Sequence, residues 1–286
     1  MKTEDQGPEK TEIAWCPGCG DFAIRSILKR VLSELEIKPE ELVLVSGIGQ
    51  AAKLPQYMRC NYFNGLHGRS LPVATAVKMA NPGLKVIAVS GDGCMYGEGG
   101  NHFIHAMRRG ADITQIVHDN MVYGLTKGQA SPTSRKGFKT PVQVAGVLLE
   151  PLNPVAMGVS LDATFVARAY CGHVDQTVEI LKRAITHRGF SLVDILQPCV
   201  SFNRLNDRDW FEANTEYLEE DYVPDSRENA FARAVEEEKL LLGVFYEREV
   251  EESFEELVRQ GGSMKPLYGH EVDKAALDGL IDSMRV

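Results

Sequence analysis

Three short β-branched runs, each ending in glycine or turn chemistry, constrain this chain more than any other feature: LVLVSGIG at 42–49, LKVIAVSGDG at 84–93 and ITQIVHDN at 113–120. Helical patterns separate them, at about 70–80 and 99–109. Two further strand-like runs, TFVARAY at 164–170 and SLVDILQPC at 191–199, flank a helix-like stretch from Asp175 to His187. Strand alternating with helix at this spacing predicts an α/β fold, a doubly wound parallel sheet covered on both faces. In such sheets a ligand sits beyond the carboxyl ends of the strands, so the residues just after each run carry the functional expectations.

Upstream, Ile24, Ile27, Leu28, Val31, Leu32 and Leu35 recur at helical spacing, with Asp21 in the N-cap position. Residues 14–203 are therefore read as one α/β domain. From 204 to 286 the chain is acidic, mostly helical in pattern and interrupted at Pro224, which predicts a largely helical C-terminal extension with solvated charged faces. A net charge of -9 disfavours nucleic acid or an anionic membrane as partner. The charged first dozen residues lack the apolar core of a signal peptide, and no apolar run approaches the ~20 residues that cross a bilayer. The expected location is the cytoplasm.

Gly91-Asp92-Gly93 closes one strand-like run, and the glycine-rich YGEGGNHF behind it opens a helix. Asn120 ends the next run, so Asp92 and Asn120 are expected to project side by side from adjacent strand ends. With the backbone carbonyl of Val122 they offer three hard oxygen ligands, and Mg²⁺ takes the remainder from substrate phosphates and water. The glycines admit a diphosphate to the backbone, and the free N–H groups of the following helix face it. A nicotinamide dinucleotide site is excluded, since GDGCMYGEGG lacks G-x-G-x-x-G spacing.

WCPGCGD at 15–21 sets Cys16 and Cys19 three positions apart. A thioredoxin-like redox pair follows a strand, whereas Trp15 follows only a charged tail. Six cysteines in a reducing compartment point to metal or catalytic use more than to a disulfide scaffold. A zinc ion held by Cys16, Cys19, Cys199 and one further ligand satisfies the thiols, and so does an iron–sulfur site.

GDG followed by the asparagine of DNMVYG resembles the diphosphate-binding motif of thiamine diphosphate enzymes. The wider set, WCPGCGD, SGIG, GLHGR, GDG, YGLTKGQASPTS and LQPC, resembles the β subunit of the 2-oxoacid:ferredoxin oxidoreductases, in the family's order across residues 15–199. That resemblance implies the pyrophosphate-type thiamine-binding fold, with thiamine diphosphate, Mg²⁺ and a [4Fe-4S] cluster as cofactors. It implies a CoA-dependent oxidative decarboxylation of a 2-oxo acid, with 2-oxoglutarate the favoured substrate, and electrons passed to ferredoxin. It also implies an α subunit that carries the pyrimidine-binding domain, because only one α/β domain is legible here. A non-redox thiamine-dependent 2-oxo acid decarboxylase or synthase subunit, with zinc or no metal at the cysteines, is the rival enzyme reading. A module that senses a diphosphate without turning it over is the rival outside enzymes.

Carried onto this chain, the resemblance implies cofactor contacts from Ile48, Gly49, His67, Gly91, Asp92, Gly93, Asn120, Val122, Gly124, Leu125 and Thr126. His67, Arg69 and Lys127 are the candidate catalytic residues, and Gln129 lies in the same loop motif. Cys16, Cys19 and Cys199 match three cluster ligands. The fourth position departs from the family, with Gln50 where cysteine is usual, and Cys60 is the expected substitute. Cys94 is expected to pack beneath the cofactor, Cys171 to be a buried thiol, and His102 and His105 to be helix-face residues.

Overall fold

The computed structural model describes residues 12–236, 238–259, 262–271 and 273–285. The charged leader lies, Glu12 apart, outside them. A single sheet organises the chain, with β1 at Leu42–Ser46, β2 at Asn61–Asn64, β3 at Lys85–Gly91, β4 at Ile113–Asp119, β5 at Phe165–Tyr170, β6 at Phe190–Leu196, β7 at Thr215–Tyr217 and β8 at Leu240–Glu247. Their order is β2-β1-β3-β4-β6-β5-β8-β7. Every pairing from β2 through β5 is parallel, while β8 runs antiparallel to β5. Flanking helices are α1 (Gly20–Glu34), α2 (Ser70–Ala80), α3 (Gly100–Arg109), α4 (Pro154–Ser160) and α5 (Val174–Thr186), followed by α6 (Arg208–Asn214), α7 (Arg227–Ala234), α8 (Phe254–Arg259) and α9 (Lys274–Ser283).

The near-continuous apolar strands are explained by two cores, one on each face. Leu44, Ile87, Val89 and Ile116 point to one core, with α1 and α5 upon it. Val45, Val86, Ala88, Ile113 and Val117 point to the other, beneath α2, α3, α4 and α7. A period of two thus sends alternate residues to opposite cores, as expected of strands covered on both sides. On α1, Ile24, Ile27, Leu28, Val31 and Leu32 are buried, and each such side chain contributes roughly 1.5–3 kcal/mol when fully buried.

The chain leaves β1 outward to β2 and returns to β3 on the other side, so the order reverses between β1 and β3. A topological switch point of this kind opens a crevice at the carboxyl ends of the strands. The loops after β1, β3 and β4 meet there.

Three features depart from the sequence expectation. Asp21 is not the N-cap of α1. Cys19 holds that place without capping a helix amide through its side chain, and the buried Asp21 carboxylate turns to β4 and to the residue after β6. β2 has no counterpart in the sequence pattern, because all four of its residues are exposed at the sheet edge and show no apolar alternation. The extension after 203 is helical at α6 to α9 but also supplies β7 and β8. Leu242 and Phe245 bury completely as β8 covers the β5 edge, and charged residues on either side of that run give it a helical look. No helix among the described residues is long and apolar enough to cross a membrane.

Candidate active site

β3 and β4 deliver the first group of functional side chains. Gly91 pairs with His118, which sets Asp92 opposite Asp119 and Asn120 one residue further on. Asp92 and Asp119 are buried, and the Thr133 hydroxyl oxygen lies 2.8 Å from a carboxylate oxygen of each. Asn120 Oδ1 accepts from the Val122 amide at 3.1 Å, across Met121 with its left-handed φ of 56°. Met121 donates its amide to Asp119 at 3.0 Å, and its carbonyl accepts the Ser134 hydroxyl at 2.6 Å. Asn203, from beyond β6, donates to the Asn120 carbonyl at 3.1 Å. The turn carrying Asn120 and Val122 is therefore fixed from three sides.

Among the described residues no ion pair reaches Asp92 or Asp119. Burial pushes the Asp92 carboxyl up to about 6, against hydrogen bonds from Ser131, Thr133 and the Gly93 amide, with the Asp194 charge adding to the rise. Burial, then the charges of Asp194 and Asp92, hold Asp119 well above the usual carboxylate range. Asp194 is itself raised by burial, although Arg168 Nε lies at 3.3 Å and the Tyr96 hydroxyl donates at 2.8 Å. Of these three buried carboxyls only Asp194 is paired with a guanidinium, that of Arg168. A dication at such a site would reverse the local cost of ionisation.

Cys94 builds the wall next to this cradle. Its sulfur accepts from the Ile48 amide at 3.4 Å and the Gly68 amide at 3.2 Å, tying the loop after β1 to the loop before α2. Gly68, at a φ of +70°, lies so close to the Glu98–Gly99 backbone that a Cβ would come within 2.4 Å of it. At Gly93 a Cβ would meet the Tyr123 ring at 2.2 Å. The Tyr123 hydroxyl sits 3.2 Å from the Gly93 carbonyl and 3.1 Å from Glu98 Oε2, and His67 Nδ1 lies 3.2 Å from that same oxygen. His67, Glu98 and Tyr123 form a polar group beside the cradle.

Around it the surface is open. Ile48 and Leu125 are exposed, and a Cβ at Gly49 or Gly124 would meet nothing within 4 Å. Thr126, Lys127, Gln129 and Arg69 are exposed too, and the Gln129 carbonyl accepts the Tyr123 amide at 2.8 Å. A cavity of about 990 Å³ beside Tyr123 is walled by the exposed apolar residues Val142, Val144, Leu148 and Leu149.

The cysteines form a separate rim. Cys16 is exposed, and Cys19 and Cys199 are half-buried. The Ser201 hydroxyl donates to Cys16 Sγ at 3.1 Å, and Gly18 lies against Val200, so the first loop faces the bend after β6. Burial, then the Asp21 carboxylate, push the Cys19 thiol up, and Cys199 adds to the rise. Trp15 Nε1 donates to the Gln50 carbonyl at 3.0 Å, which brings the loop after β1 against the same rim.

Cys60 is not part of this rim, contrary to the sequence expectation. It precedes Asn61, which pairs with Val43 near the amino end of β1. Burial pushes its pKa up to about 12, with the Leu44 backbone opposing the rise. Among the described residues nothing joins Cys60 to Cys16, Cys19 or Cys199. The segment does return to the sheet, but it enters an edge strand from the end away from the site. Cys171 is a buried thiol raised to about 12, by burial above all. His102 and His105 lie on α3, with His105 Nδ1 3.2 Å from Arg108. Among the described residues no three His, Cys, Asp or Glu side chains converge to hold a single ion.

Sequence reasoning missed Asp119, Thr133, Asp194 and the Asp21–His118 pair. Asp21 Oδ1 lies 2.7 Å from His118 Nδ1 and accepts from Gln197 Nε2 at 3.0 Å, so one buried carboxylate joins the cysteine loop to β4 and to the residue after β6. Asp119, next to Asn120 in HDN, is the only one of these with a local signal. The others follow from register.

Residues 46–195 match the family model for the thiamine pyrophosphate enzyme C-terminal TPP binding domain. Residues 199–261 match the model for the C terminal of the pyruvate ferredoxin oxidoreductase beta subunit. The beta subunit of 2-oxoacid:ferredoxin oxidoreductase 2 from Aeropyrum pernix is 43% identical over 256 residues, covering 85% of this chain and 83% of that relative. The 2-oxoglutarate synthase subunit KorB of Methanocaldococcus jannaschii is 33% identical over 244 residues, 85% of this chain and 90% of the relative. A solved 2-oxoglutarate:ferredoxin oxidoreductase from Magnetococcus marinus, with 2-oxoglutarate, coenzyme A and succinyl-CoA bound, superposes with a TM-score of 0.90 at 33% identity, over 98% of this chain and 96% of that one.

Proposed function

The chain belongs to the β subunits of the 2-oxoacid:ferredoxin oxidoreductases, and from that premise we propose that it supplies the diphosphate and electron-transfer half of a CoA-dependent 2-oxoglutarate oxidoreductase. The observation that carries this reading is the buried Asp92 carboxylate, set at the switch point beside Asn120 with no cation of its own among the described residues. Mg²⁺ fits there, held by Asp92, Asn120 and the Val122 carbonyl, and anchoring the diphosphate of thiamine diphosphate. When bound, thiamine diphosphate supplies an ylid for the keto carbon of the 2-oxo acid, and a [4Fe-4S] cluster at Cys16, Cys19 and Cys199 supplies a one-electron acceptor toward ferredoxin.

The residues of the chain do the positioning. Gly91 and Gly93 give the diphosphate access to the backbone at the start of the helical turn. Ile48, Gly49, Gly124, Leu125 and Thr126 line the open side, where their small or apolar faces exclude water from the reacting carbon. His67, whose Nδ1 lies 3.2 Å from Glu98 Oε2, holds or moves a proton at its imidazole. Arg69 and Lys127 meet the carboxylates of the substrate.

Every proposed ligand falls within 14–203, which we assign as the cofactor-binding unit. The extension from 204 to 286 closes the β5 edge. The exposed apolar wall at 142–149 is covered by the α subunit, which brings the pyrimidine-binding domain. The assembled enzyme is placed in the cytoplasm.

The test is a panel of 2-oxo acids offered to the co-expressed α and β subunits with Mg²⁺, thiamine diphosphate, CoA and ferredoxin. Reduction of ferredoxin that needs CoA and runs fastest with 2-oxoglutarate is expected. Iron and sulfide should be found in the anaerobically purified complex. Decarboxylation without ferredoxin reduction would overturn the redox reading.

A further inference from the structure

We infer that Gln50 occupies the fourth corner of the cluster site, so that three thiolates and one amide oxygen form the ligand set and one iron is left without a protein thiolate. This rests on reading Cys16, Cys19 and Cys199 as iron–sulfur ligands, and it adds what the chain does where the family's cysteine is missing.

One contact to residue 50 and several to the run it heads tie this segment to the cysteine loop. The Gln50 carbonyl accepts the Trp15 indole N–H at 3.0 Å, directly beside the Cys16–Cys19 loop. Gln50 heads the helical run Ala51–Tyr57, and that run is clamped to the cysteine loop and to α1. The Tyr57 ring packs edge-on against Trp15 at 4.9 Å, the Tyr57 hydroxyl accepts the Ala14 amide at 3.0 Å, and the Tyr57 carbonyl accepts Arg25 Nε at 2.9 Å. Gln50 Oε1 is shut from solvent and has no donor among the described residues. Native interiors rarely leave such an acceptor unmatched, and an unmatched one calls for an ion or another absent group. Gln197 Oε1 is likewise unmatched, but it lodges against Gly20, and the amide nitrogen of Gln197 is committed to Asp21. Cys60, the other candidate, stands at the amino end of β2, where Asn61 pairs with Val43.

The chemistry follows from the ligand. An amide oxygen is neutral and hard, whereas iron in a cluster favours soft, anionic thiolate. The iron at that corner is therefore weakly held and exchangeable. The site also carries one negative charge fewer than a four-thiolate site, which makes the cluster easier to reduce. Oxidation by one electron releases that iron as a ferrous ion and leaves a three-iron cluster on the three cysteines.

The experiment uses the anaerobically purified α/β complex, with Gln50→Cys, Gln50→Ala and Cys60→Ser beside wild type. Iron, sulfide and electron paramagnetic resonance are followed during titration with ferricyanide, which takes the electron. Wild type should fall from about four irons per β chain to about three and show a three-iron signal. Gln50→Cys should keep about four and show a lower midpoint potential. Gln50→Ala should lose the iron at a lower oxidant dose than wild type, and Cys60→Ser should match wild type. A wild-type cluster that keeps all its iron, or a Cys60→Ser complex that alone loses it, overturns the inference and leaves the iron–sulfur reading intact. Absence of iron and sulfide from every form, wild type included, overturns the reading beneath it.

Discussion

The oxygen-lined and sulfur-lined parts of this site are built in opposite ways. Asp92, Asp119 and Asn120 leave the ends of neighbouring interior strands, and hydrogen bonds from Thr133, Ser134 and Asn203 fix them. Cys16, Cys19 and Cys199 sit on a loop before α1 and a bend after β6, exposed or half-buried, and their thiols are lightly tethered, Cys16 by the Ser201 hydroxyl and Cys19 by the Asp21 carboxylate. The sheet prepares the first part before any ligand arrives. The second is brought together by packing around Trp15 and is completed by what binds there. On the proposed function, Mg²⁺ and diphosphate would meet a preorganised cradle, while a cluster would act as part of the structure of its own rim.

Asp92→Ala separates the two parts most sharply. Removing the one carboxylate placed for the metal should weaken thiamine diphosphate binding in the presence of Mg²⁺ on the order of 100-fold or more. Iron content should stay unchanged. Titration calorimetry beside iron analysis checks both halves, and a parallel loss of iron would show that the cradle is not independent of the rim.

Cys199→Ser approaches from the other side. The complex should lose its cluster, while thiamine diphosphate affinity changes by about 3-fold or less, below what removing even an indirect support of a metal ligand costs. The link to watch is short. Gln197 donates its backbone amide to the Asp119 carbonyl at 2.9 Å, and Asn203 reaches Asn120, so the turn that carries Cys199 also braces the metal turn. Affinity lost well beyond that range would mean that the cluster stiffens this turn, and the two parts would count as one.

What is legible in the sequence follows the same division. The interior strands β1, β3, β4, β5 and β6 can be read because residues covered on both faces leave apolar runs bounded by turns. β2 exposes all its residues and β8 is embedded in charge, so neither shows a pattern. Asp92 and Asn120 are legible because a strand end is a local event. Asp119 and Thr133 are not, since their pairing depends on strand register and on a loop fourteen positions away from Asp119. Cys60 misleads because sequence places a residue between two strands but does not say at which end of the sheet it will stand. Gln50 stands out in the sequence as a departure, while its buried, unmatched oxygen is visible only in the fold.

The smallest expected effect lies in the pH dependence of the cradle. In the free chain Asp92 has its pKa raised to about 6, first of all by burial. An acid whose folded pKa lies above its unfolded value adds stability below the unfolded pKa and loses it as pH rises through the folded one. The free chain should therefore become less stable as pH rises from about 4 toward 7, and Asp119, also raised by burial, adds to the loss. Mg²⁺ bound to Asp92 reverses the sign, because the dication favours the ionised carboxylate. The rise in melting temperature on adding Mg²⁺ and thiamine diphosphate should then grow steadily across that range, measured by differential scanning fluorimetry at constant ionic strength. In Asp92→Asn, which cannot ionise, the growth should flatten. A ligand-induced rise that is level with pH in wild type would mean that the metal does not sit on Asp92, and the cradle would lose the property that sets it apart from the rim.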